Sequence, residues 1–164
     1  MKGKIMKDDS GQTAVARFEP PTDPQLREAR KFVGKYAEGW NGSPVSVEDL
    51  RDQMHSDTRM LIPPMTEPAG RDAVVSHFAG VLQRIPDLKL EVIRWAPTGD
   101  VVFVEWKARA TVGGQLVSWT GVDRFRLSGD LQIEGQAYWD TLGLEAKVAA
   151  AFEAANLLAA AQKR

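Results

Sequence analysis

Pro86 divides this chain between two periodicities. Before it, apolar residues recur every three or four positions; after it they alternate, and keep alternating to about residue 140. The first half therefore reads as helices. Asp23 or Thr22 caps one with Pro24 in its first turn, and Leu26, Ala29, Val33, Tyr36 and Trp40 share a face until NGSP ends it. A shorter helix runs from Val47 to about His55, with Ser46 as N-cap. RMLIPP predicts a short strand stopped by two prolines. GRDAVVSHFAGVLQRI predicts a third helix whose core stripe is Val74, Phe78, Val81 and Ile85.

The second half predicts strands at about 88–96, 101–112, 115–127 and 131–140, divided by the turn signals PTGD, GG and SGD. An Ala-rich helix follows from about Leu144 to Gln162, with Leu144, Val148, Phe152, Ala155 and Leu158 in its stripe. Helices first and an antiparallel meander afterwards give an α+β fold. The expected form is a curved antiparallel sheet wrapped around the N-terminal helices, a conical barrel enclosing an apolar pocket, plus the C-terminal helix. Residues 1–22 are polar and read as a tail or arm, 23–143 as the domain, and 144–164 as the closing helix. Ile5, Val15 and Phe18 are the tail's apolar residues, available to dock.

Composition narrows the function. The 21 basic and 22 acidic residues leave a net charge of −1, which recommends neither nucleic acid nor an anionic membrane as partner. With no cysteine, disulfides, thiolate zinc sites and cysteine nucleophiles are excluded. No apolar run reaches bilayer length, and MKGKIMKDDSGQ lacks the apolar core of a signal peptide, so the expected location is cytoplasmic.

One acidic residue stands out. In SWTGVDRFRL, Trp119, Gly121, Asp123, Phe125 and Leu127 share the apolar face of a strand, whereas Thr120, Val122, Arg124 and Arg126 share the wet one. A buried carboxylate is costly unless paired, hydrogen-bonded or protonated, so Asp123 is a candidate catalytic group. On the preceding strand Val104, Trp106, Ala108 and Ala110 face the same way. Tryptophans beside small residues suit a cavity better than a flat core. Trp40, Trp106, Trp119 and Trp139, with Met60, Ile62, Val81, Val104, Ala108 and Phe125, are the expected pocket wall, fitted to a flat polycyclic or aromatic ligand. Trp95 reads as structural. His55 reads as a C-terminal helix residue favoured by the helix dipole. Two histidines at no ligand spacing give a metal site little support, and no cofactor is expected.

GVDRFRLSGDLQIEGQAYWDTLGL resembles the closing strands of the ketosteroid isomerases in its D-x-x-R followed by Q-A-Y-W, and PPMTEPAGRDAV resembles limonene epoxide hydrolase. Both are nuclear transport factor 2-like, as are the SnoaL-like polyketide cyclases, and the resemblance runs from about Asp23 to Leu144. It implies the conical fold, with homodimerisation through the outer strand face. By position, the isomerases' oxyanion aspartate falls on Asp123 and their tyrosine on Tyr36, but their general base falls at Ile62 or Pro63. The hydrolase's catalytic arginine and aspartates fall on Trp106, Ala108 and about Ala137, none of which can act. The cyclases' general-base aspartate also falls on Asp123, so one analogy makes it an acid and the other a base. His77 shares a helix face with Val81 and Ile85, the face that lines the pocket in this superfamily, and could replace the missing base.

The expectation is a cofactor-independent acid–base enzyme (an isomerase, cyclase or dehydratase). It would act on a hydrophobic polyketide-, terpenoid- or steroid-like molecule with Asp123, Tyr36 and His77. The alternative is a non-catalytic small-molecule-binding or accessory module of the same fold.

Overall fold

Thr22 opens the first helix with a reciprocal cap: its hydroxyl accepts from Gln25 N–H while the Gln25 side-chain Oε1 accepts from Thr22 N–H at 2.9 Å. The computed structural model describes residues 19–64 and 66–162, so the tail residues Ile5, Val15 and Phe18 lie outside the described part. In order come α1 (Asp23–Asn41), α2 (Val47–Arg51), β1 (Met54–Leu61), α3 (Arg71–Arg84), β2 (Lys89–Thr98), β3 (Val101–Val112), β4 (Gln115–Ser128), β5 (Leu131–Trp139) and α4 (Thr141–Ala161). Gly70, at φ +86, turns the chain into α3 at an angle that L side chains rarely adopt. Asp140 caps α4 by accepting from Gly143 N–H, so that helix starts three residues earlier than its apolar stripe predicts.

The five strands form one curved sheet in the order β1-β5-β4-β3-β2. The α+β architecture is as expected. Three details differ. The sheet stays open, because β1 and β2 are its edges and do not pair. It is also mixed, since β1 lies parallel to β5, with Met60 beside Gly135. A parallel neighbour needs a long crossover, which α3 and the three intervening strands supply. Finally, α2 ends at Arg51, so His55 belongs to β1 and not to a helix end. There its ring Nδ1 accepts from the backbone N–H of Asp57 at 3.2 Å.

The helices cover one face of the sheet. Phe32 of α1 is fully buried with its ring centroid 4.9 Å from that of Phe125. Val102, Val104 and Phe125 fill the same closed end, where each buried side chain contributes about 1.5–3 kcal/mol. Past this plug, the inner residues of β3 and β4 alternate large and small, and Trp106 sits opposite Gly121. A Cβ at position 121 would stand 2.4 Å from the Trp106 ring, so only glycine admits the indole there. Of the expected stripe on α4, Phe152 and Leu158 are exposed whereas Leu144 reaches the inside, and the helix docks also through Ala151 and through Lys147 Nζ donating to the Ser118 carbonyl at 2.8 Å.

Candidate active site

A cavity of about 370 Å³ opens between the helices and the concave face of the sheet. Its wall is largely apolar and draws on every layer: Trp40 from α1, Leu50 from α2, Met60 and Ile62 around the end of β1, Phe78 and Val81 from α3. The sheet adds Trp106, Ala108, Trp119, Phe125, Ala137 and Trp139, and α4 adds Leu144. Among the aromatic contacts along it, Trp40 meets Phe78 edge-on at 5.3 Å, and Trp106 meets Trp139 at 6.0 Å.

Val104 does not line this cavity, contrary to the sequence reading. It faces the same way as Trp106 but lies two residues nearer the closed end, where the core is solid. Trp95 packs against the core without reaching the cavity.

Two polar residues meet at the buried end. Tyr36 Oη donates to Asp123 Oδ2 at 2.8 Å. Both residues are only 4 % exposed. The pairing follows from the secondary structure: Tyr36 falls on the inward face of α1, and Asp123 on the inward face of β4 between Gly121 and Phe125. Burial pushes the Asp123 carboxyl up to about 6, against the opposing pull of the Trp106 indole and the Tyr36 hydroxyl. Burial and the facing carboxylate raise the Tyr36 phenol well above its ordinary value. Trp106 approaches the carboxyl closely enough to favour its charge, but short of good hydrogen-bond geometry. Trp106 Nε1 and Asp123 Oδ1 are thus each buried without a partner.

His77 lies elsewhere on the wall. It lines the cavity from α3 and stacks edge-on against Phe78 at 5.5 Å, with no hydrogen bond to Tyr36 or Asp123 among those of the described residues. Desolvation and the neighbouring Arg84 charge lower its pKa, favouring the neutral ring. Four further polar residues line the cavity that the sequence patterns do not single out: Gln53, Thr66, Arg84 and Gln132. Arg84 could have been found, since it lies seven residues after His77 on one helix face. Gln53 is held by its amide donating to the Lys35 and Asp49 carbonyls, whereas Gln132 Nε2 is buried with no partner. Among the described residues no three His, Asp or Glu side chains gather as a metal-ligating group, and no helix is long and apolar enough to cross a membrane.

The SnoaL-like domain family model matches residues 33–134, a span that contains Tyr36, His77 and Asp123. Among solved structures, a candidate SnoaL-like polyketide cyclase from Jannaschia sp. CCS1 aligns with a TM-score of 0.68 at 18% identity, over 79% of this chain and 96% of that one. A protein of ketosteroid isomerase-like fold from Catenulispora acidiphila DSM 44928, solved with trimethylamine, aligns at 0.65 and 16% identity, over 72% and 92%. IdmH of Streptomyces antibioticus, a candidate polyketide cyclase, aligns at 0.63 and 19% identity, over 74% and 98%. At these identities the likeness is one of fold. No curated protein sequence matches the chain.

Proposed function

The chain belongs to the SnoaL-like domain family, and from that premise we propose that it is an acid–base enzyme acting on a carbon acid: a hydrophobic, polyketide-like ketone held in the apolar cavity. The observation that carries this reading is the state of Asp123. Its pKa of about 6 leaves it mostly ionised at neutral pH yet basic enough to take a proton, and one of its oxygens has no partner. Tyr36 already donates to the other oxygen, so it positions and tunes the base instead of binding the substrate. This favours Asp123 as base over Asp123 as oxyanion donor.

The step balances within the pocket. A C–H bond next to the substrate carbonyl breaks, its proton forms an O–H bond on Asp123 Oδ1, and the electron pair moves to the carbonyl oxygen. Trp106 Nε1, a buried donor with no partner of its own, supplies a hydrogen bond to that enolate. Both atoms are screened from solvent, so the substrate carbonyl has to part the indole from the carboxyl. The enolate then either recovers the proton at another carbon, an isomerisation, or attacks a second carbonyl. In that aldol cyclisation Asp123 returns the proton to the new alkoxide. A polycyclic aromatic body suits the indole-lined wall.

A second reading, a binding module without turnover, is favoured by Ile62, Ala108 and Ala137. These residues line the cavity, and the resemblance places the isomerase base at Ile62 or Pro63 and hydrolase groups at Trp106, Ala108 and about Ala137. Proton exchange separates the two. Wild-type protein is expected to accelerate α-deuteration of 2-tetralone in D₂O, followed by NMR. Asp123→Asn is expected to bind the ketone, seen as tryptophan quenching, without accelerating exchange. Binding with no acceleration by wild type leaves the module.

A further inference from the structure

We infer that the substrate also carries an anionic group, a carboxylate or an acidic enol, which docks on Arg84 at the open end of the cavity with His77 beside it. The inference rests on the acid–base reading above, because it names which end of the ketone enters first. Among the described residues that line the cavity, Arg84 is the one fixed cation, and it makes no ion pair within the described residues. His77, Val81 and Arg84 share the inward face of α3. The Arg84 side chain folds back along that face: its Nη1 lies 3.7 Å from where a Cβ at position 80 would stand. This brings the guanidinium towards His77, one turn nearer the start of the helix. A neutral imidazole beside a fixed cation offers an N–H to the second oxygen of a carboxylate, while the guanidinium supplies the charge.

The cavity is then polar at its two ends and apolar between them. The buried end holds Asp123, ionised at neutral pH, and repels an anion; the open end holds Arg84 and attracts one. A molecule with a ketone at one end and an acidic group at the other enters in a single orientation, ketone first. Phe78 and Trp40 flank the path between. Arg84 is therefore a specificity-determining residue.

The test measures affinity with two probes of equal shape, 2-naphthoate and 2-naphthamide, by quenching of the intrinsic tryptophans. Because Arg84 is exposed, the expected preference for the acid is modest, about tenfold at low salt and smaller at high salt. Arg84→Gln is expected to remove that preference while leaving amide affinity within about twofold, and Arg84→Lys to keep most of it. Equal affinity of wild type for the two probes, or equal losses for both in Arg84→Gln, overturns the anionic dock. The acid–base reading survives either result, since it needs only that the neutral probe binds. Failure of both probes to bind the folded wild type overturns the dock and the aromatic-ligand reading together.

Discussion

Tyr36 and Asp123 stand 87 positions apart in the chain and meet through one 2.8 Å hydrogen bond in which the phenol donates. The carboxyl is held there at a thermodynamic cost, because burial raises its pKa from 3.8 to about 6. The sign follows from proton linkage. Below about pH 4 the carboxyl is protonated folded or unfolded, so nothing is lost. As the pH rises towards 6 the unfolded chain releases its proton while the folded one retains it, and stability falls. The loss amounts to about 3 kcal/mol once the pH exceeds 6, since each pH unit between the two pKa values is worth about 1.4 kcal/mol. Asp123→Asn keeps the shape and an acceptor for Tyr36 without the penalty. Urea denaturation is expected to show the variant gaining on wild type between about pH 4 and 6, then holding a constant lead. A difference that does not change with pH contradicts a raised carboxyl.

Tyr36→Phe tests the same bond from the other side. The hydroxyl lowers the Asp123 pKa, so its removal raises that pKa further. If Asp123 is the base, the rising limb of the pH–rate profile for α-proton exchange sits near 6 in wild type and moves to higher pH in the variant. A displacement on the order of half to one pH unit is expected, with the plateau rate changed much less. An unmoved limb assigns the titration to another group.

The inward faces of both residues were legible in the sequence from simple periods, and their role as a pair from the resemblance to the ketosteroid isomerases. Tyr36 completes a helical stripe, and Asp123 breaks an apolar alternation. The period switch at Pro86 likewise placed α1, α3 and the four-strand meander. What escaped did so where the period itself breaks. β5 and β4 shift register between Arg126 and Leu127, so counting by twos back from Ala137 and Gly135 puts Ile133 inside, whereas Gln132 is the buried residue. β1 shifts register between Met54 and Arg59 through the polar stretch His55–Thr58, which conceals a strand behind what reads as a helix end. In α4, alanines and leucines occupy every side, so the sequence offers many stripes, and the docked residue is the small Ala151 against the Gly113 turn. The parallel pairing of β1 with β5 leaves no trace in either strand's own pattern.

Gly121 is expected to be intolerant of even one methyl group. A Cβ there meets the Trp106 ring at 2.4 and 2.6 Å and the Tyr138 carbonyl oxygen at 2.7 Å, and the last of these is backbone that cannot swing aside. Gly121→Ala is expected to lower stability by about 1–3 kcal/mol in denaturant titration. It is also expected to weaken 2-tetralone binding, because the displaced indole forms the cavity wall beside Asp123. Wild-type stability in this variant would mean that Trp106 has room to rotate, and the site would then be softer than the packing indicates.

The outer face of the sheet leads to the last prediction, that two copies of the chain associate through it. Among the described residues the helices cover only the inner face, which leaves Phe103 and Tyr138 40% and 47% exposed. Cross-strand register sets Phe103 opposite Arg124, and Val122 opposite both Glu105 and Tyr138, so the aromatic rings flank β4 on one patch. Arg124 is tethered there by Glu134, which also binds Arg59 at 3.0 Å and whose carboxyl these guanidiniums hold down to about 2. An antiparallel sheet can leave one face in water, so exposure alone decides nothing. A two-fold pairing, however, would bury the rings of both copies around paired charges that are already neutralised. Light scattering coupled to size exclusion is expected to give twice the 18.1 kDa chain mass. Val122→Glu, which sets like charges across the two-fold axis, is expected to shift the population to monomer with the fold intact by circular dichroism. A monomeric wild type at micromolar concentration removes the pairing and leaves the cavity argument untouched.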